Sequence, residues 1–143
     1  MRLIDVTLKL LGLSEAVLKW QSALTDLARA DRARAATYCE SIAETLARAA
    51  AALARLCDEP RDKTAQRSLP RELGRMKGYL DDLAQLLDEH LDGRKLAGIK
   101  KRLAGIFEEG PPDATSIPAD EKQVSRLLEA EGYFRALADG LKV

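Results

Sequence analysis

Few residues in this chain could do chemistry, and their spacing argues against most of it. His90 is the single histidine, and Cys39 and Cys57 are the only cysteines. Nucleophilic catalysis by a serine or cysteine usually needs a histidine base, itself oriented by a third group. Asp88, Glu89 and Asp92 lie close to His90 in sequence, but His90 falls on a helical apolar seam, where a packed or half-exposed histidine is expected. These four residues do not spell the H-E-x-x-H metal motif, and one histidine cannot supply the two E-x-x-H pairs of a di-metal bundle. The stretch from Gly93 to Gly98 lacks the G-K-[ST] ending of a phosphate-binding loop. No catalytic residue, cofactor-binding residue or metal ligand is assigned, and the chain is read as a non-enzyme without a cofactor.

The two cysteines fall on one predicted helix, 18 positions apart. That separation is five turns and about 27 Å of rise, whereas disulfide partners need Cα atoms within about 7 Å. They are therefore read as reduced core thiols. Charge is balanced, with 23 Lys and Arg against 23 Asp and Glu. No overall field draws the chain to nucleic acid or to an anionic membrane, so any such attraction must come from a local patch. One patch stands out: Arg94, Lys95, Lys100, Lys101 and Arg102. It could meet lipid headgroups or nucleic-acid phosphates, or lie on a solvated face balanced by Asp81, Asp82, Asp88 and Glu89. The turn at Gly93 suggests a helix-turn-helix, but no Asn, Gln or Arg array makes a recognition face, so nucleic acid is not the expected partner.

The elements that position these residues are helices. Leu and Ala dominate an apolar set with only 4% aromatics, which suits closely packed helices. Residues 31–57, with Asp31 as the expected N-cap, carry the seam Ala35, Cys39, Ile42, Leu46, Ala49, Leu53 and Leu56. The strip Ala43, Ala47, Ala50 and Ala54 runs beside it and lets a neighbouring backbone approach, so this helix should be central. A polar connector from Asp58 to Thr64 follows. Residues 69–92 form a rod with the seam Leu69, Leu73, Met76, Leu80, Leu83, Leu87 and His90, expected to be the scaffold of the bundle. Ser68 is its expected cap, with Pro70 in the first turn, Glu72 near the positive end of the helix dipole and Gly93 at the end. Residues 94–109 give a shorter helix, Gly110–Thr115 a loop, and 119–141 a last helix facing inward through Val124, Leu127, Leu128, Phe134, Leu137 and Leu141. The fold class is all-α: an antiparallel four- to five-helix bundle in one domain, 1–143, with an amphipathic N-terminal helix.

That N-terminal segment, residues 1–29, is the strongest functional lead. Its polar stripe (Arg2, Asp5, Lys9, Glu15, Lys19, Ser22, Asp26 and Arg29, with Gly12 on the same line) is narrow and its apolar face wide. Gly12 followed by Ser14 favours a split into helices 2–11 and 15–29. Leu3, Ile4, Leu8, Leu10, Leu11, Val17, Leu18 and Trp20 are the expected contact residues, for the bundle itself, a partner protein or a bilayer interface. Trp20 suits an interfacial anchor, while Lys9, Lys19, Asp5 and Glu15 make a lone membrane span costly. No signal-peptide pattern and no apolar run of about 18 residues is present, so a cytoplasmic protein is expected, able to relocate to the inner membrane.

Tyr38-Cys39-Glu40-Ser41-Ile42-Ala43-Glu44-Thr45-Leu46 and Glu131-Gly132-Tyr133-Phe134-Arg135-Ala136-Leu137-Ala138, with Arg71-Glu72-Leu73 before the leucine rod, resemble segments of small helical components of bacterial conflict (anti-phage defence) systems. The architecture is also similar to HeLo-type and necroptotic pseudokinase bundles. The resemblance implies a cell-death effector whose terminal helix permeabilises membranes, or an adaptor for an NTPase or protease encoded nearby. It also implies a protein partner, an anionic membrane and a homo-oligomer as the candidate associations.

Overall fold

A computed structural model gives the structure of the protein, and it describes residues 8, 9, 12, 24–90 and 121–142. These residues fold as helices α1 (Arg29–Asp58), α2 (Lys63–His90) and α3 (Glu121–Leu141), with no strand among them. The all-helical class is thus observed. The expected helix over 94–109, the Gly110–Thr115 loop, the Gly93 cap and the side chain of His90 lie outside the described residues.

Among the described helices the small-residue helix is central, as its alanine strip predicts. α2 and α3 each pack on α1 rather than on each other. Arg48 pairs with Glu72 and Arg55 with Asp62, so numbers rise along α1 as they fall along α2. That is antiparallel pairing. Lys142 pairs with Glu40, which places the end of α3 at the N-terminal half of α1, so α3 also runs against it. All seven residues of the expected α1 seam are buried, and Ala36, Ala43, Ala50 and Ala52 are buried beside them. Ala exposes little side chain and favours helix, so one rod can be covered on two sides with both neighbours close.

The ends of α1 differ from expectation. The helix starts at Arg29, Ala28 stands at the N-cap with no side-chain cap, and Asp31 lies in the first turn. The break is set instead by a turn in which the Leu27 amide donates to the Leu24 carbonyl at 3.2 Å. Both leucines are drawn into the core, which fixes where that turn falls. The predicted helix 15–29 therefore gives way to that turn after Leu24. At the far end Glu59 is extended, its amide still donates to the Arg55 carbonyl, and Pro60 follows.

α2 begins six residues before the expected start. Ser68 is not the cap and Pro70 is interior. Asp62 caps the helix instead: its carboxylate accepts from the Ala65 amide at 3.1 Å, and its carbonyl accepts from the Gln66 amide. Pro70 withholds a donor from the Gln66 carbonyl, a defect of about 3 kcal/mol in an isolated helix. Ala65 and Leu69 are fully buried upstream of Leu73, Met76 and Leu80. A seam continuous through the proline, together with the Asp62 cap, offsets that defect.

α3 starts at Glu121, and one of its expected core residues faces out: Leu128 is 49% exposed. Gln123, Leu127, Ala130, Phe134, Leu137 and Leu141 follow the buried line, and Leu128 is about 100° of helix away from Leu127.

Gly74 and Gly78 sit one turn apart on the exposed side of α2, and a Cβ at either would meet nothing within 4 Å. Each costs helix about 0.8–1 kcal/mol relative to Ala. Gly74→Ala and Gly78→Ala should each raise stability by about that amount in urea titrations. A loss of stability at either position would show that another surface packs on that turn.

Candidate functional site

Of the eight N-terminal contact residues, Leu8 is described, and it is 47% exposed. Lys9 beside it is exposed, and Gly12 is helical and half-buried. Farther along, Leu24 and Leu27 belong to the core. The segment thus has apolar surface open to solvent near its start and is anchored where it enters α1. Leu3, Ile4, Leu10, Leu11, Val17, Leu18 and Trp20 lie outside the described residues, as do Ser14 and the whole basic patch of Arg94, Lys95, Lys100, Lys101 and Arg102. Among the described residues no helix is long and apolar enough to cross a membrane.

A polar cluster that periodicity did not single out lies where α1 meets α2. Glu72 is only 7% exposed. Its Oε2 accepts from Arg48 Nε at 3.0 Å, and its other oxygen lies 3.7 Å from Arg75. Arg48 also donates to Thr45 Oγ1 at 3.4 Å, and the Thr45 hydroxyl donates to the Ser41 carbonyl at 2.7 Å. Glu72 is therefore not a dipole partner at a helix start but a half-way clasp between two helices. The geometry of these pairs fixes which turn of α1 faces which turn of α2. The available signal was a carboxylate flanking Leu73 on a seam otherwise apolar. Elsewhere on the surface, Arg34 hydrogen-bonds Tyr38 and Arg75 hydrogen-bonds Tyr79, contacts that raise both guanidinium pKa values above their usual one. Neither arrangement supplies a proton donor and acceptor facing a common cavity.

Cys39 is buried as expected, whereas Cys57 is half-buried rather than a core thiol. Burial pushes the Cys39 thiol from 9.0 up to about 12. At neutral pH it is protonated and a poor nucleophile. It should resist a thiol reagent such as DTNB in the native protein and react on unfolding. In the folded state the proton is retained, while in the unfolded chain it leaves near pH 9. The stabilising contribution is thus complete below about pH 9 and declines as pH rises toward 12, by at most about 1.4 kcal/mol per pH unit. Urea midpoints measured from pH 8 to 11 should show that decline, reduced in Cys39→Ala.

No three His, Cys, Asp or Glu side chains gather to hold a metal ion among the described residues. No protein-family model matches the chain, and neither the curated proteins nor the solved structures contain a match to it.

Proposed function

We propose that the protein is a non-enzymatic helical effector that engages a membrane interface through the apolar face of its N-terminal segment. The observation that carries this reading is Leu8, nearly half exposed and helical, on a segment that joins the core at Leu24 and Leu27. An exposed leucine of this kind gains roughly 1.5–3 kcal/mol when buried, and several on one face suffice to hold a helix in the headgroup region. The full bundle is of four to five antiparallel helices, with α1 as its axis. The resemblance to bacterial conflict components suggests cell death as the outcome and activation by a partner encoded nearby. The protein would be cytoplasmic until it reaches the inner membrane, where it acts as a homo-oligomer.

The test is dye leakage from phosphatidylglycerol-containing vesicles, with the full chain before and after addition of its activating partner. Leakage is expected in the activated state, lost in Leu8→Glu with Leu11→Glu. Vesicles that stay intact in both states overturn the reading. Burial of Leu24 and Leu27 favours a second reading, an adaptor whose tethered face docks on a partner protease or NTPase. A stable complex without leakage would establish it.

A further inference from the structure

Arg29, Arg32, Ala33, Ala36 and Thr37 recur at helical spacing, so they form one stripe on the first turns of α1. Leu141 and Lys142, at the end of α3, make the facing wall. Between them lies an open groove of about 500 Å3, within the size range of small-ligand sites. Three of its seven described lining residues are cations and none of the seven is an acid.

The charges are unequally satisfied. Lys142 pairs with Glu40, and Asp31, in the same first turn, pairs with Arg34. No described carboxylate lies within ion-pair distance of Arg29 or Arg32. The Arg32 Nε is moreover buried without any acceptor, which is costly for a charged donor. The start of α1 adds to this, because Ala28 leaves the first-turn amides without a side-chain cap. Such a helix end carries partial positive charge. Ala33, Ala36 and Leu141 give the groove an apolar floor.

We propose that this groove binds a phosphate-class anion, gripped by the guanidinium groups of Arg29 and Arg32 at the uncapped start of α1. A planar guanidinium fork binds phosphate oxygens in pairs, and two forks beside a helix N-terminus suit a dianion better than a single carboxylate. The apolar floor takes the organic body that carries the phosphate. The ligand is a free phosphate compound or a phospholipid headgroup. The described lining belongs to α1 and the end of α3, so this proposal is tested on residues other than the N-terminal contact set.

The experiment is calorimetric titration of the full chain with inorganic phosphate and pyrophosphate at constant ionic strength, beside co-sedimentation with phosphatidylglycerol and phosphatidylcholine vesicles. The comparison is Arg29→Gln with Arg32→Gln, whose thermal midpoint without anion should match the parent. Saturable binding of the free anions, weakened about tenfold or more in the variant, identifies a soluble ligand. Binding only to phosphatidylglycerol vesicles, with the same dependence on the two arginines, identifies a headgroup. If the double variant fails to fold, Arg32→Lys keeps the charge, loses the fork and should still weaken binding several-fold. No binding in either arm, or binding that the substitutions leave unchanged, overturns the proposal.

Discussion

Phe134→Ala is expected to destabilise the protein by about 3–5 kcal/mol, the cost of removing a large aromatic side chain from a packed interior. Phe134 is fully buried and heads the largest side chains of the core. It belongs to the one apolar cluster that includes residues of all three helices. Two terms add: the lost transfer of the ring from water, and the void left where α1 and α3 cannot close together. The second term is large here because α1 also holds α2, so a collapse toward α3 would loosen the other interface. Domains of this size have roughly 5–15 kcal/mol of total stability, so the substitution removes about a fifth or more of it. Urea titration should show a lower midpoint with an unchanged slope, and Phe134→Leu should cost less than about 1.5 kcal/mol. An alanine variant within 1 kcal/mol of the parent would mean that the α1–α3 interface is not packed as described.

The second large effect concerns the Glu72 clasp. Arg48→Leu removes the closer of its two cations and leaves a carboxylate buried, with Arg75 at 3.7 Å as the remaining partner. A loss on the order of 2–3 kcal/mol is expected, somewhat below the usual cost of an orphaned buried charge because Arg75 remains. Glu72→Leu should cost less, since Arg48 is 43% exposed and can turn into water. The double variant should recover most of the Arg48→Leu loss, because an apolar pair of similar volume demands no desolvated charge. The double-mutant cycle in urea isolates the coupling. Additive losses would show that the two groups do not interact across the interface.

Legibility follows from the range of the forces involved. The seam of α1 and the leucines from Leu69 to Leu87 were readable because burial on a helix repeats every three or four residues, and every residue of those seams within the described chain is buried. The antiparallel α1–α2 pair was readable from its short connector. The start of α2 was not, because Pro70 is a local stop signal and was weighed without the burial of Ala65 and Leu69 upstream. Leu128 was misplaced because an apolar residue next to a seam is counted with it, although its direction differs by about 100°. Of the N-terminal contact residues Leu8 alone is described, while the cationic groove was missed altogether. Its arginines are commonplace on a solvated helix face, and only the end of α3 turns them into one wall of a cavity.

By itself the sequence determined that the described chain is helical, which residues line the seams of α1 and α2, and that its cysteines cannot bridge. Those properties depend on residues within a few turns of one another. Tertiary structure alone decided that Glu72 is a buried clasp rather than a dipole partner, and that Arg29 and Arg32 share a groove with Lys142. Each of these depends on which helix lies alongside, and helical periodicity specifies a face without specifying its neighbour.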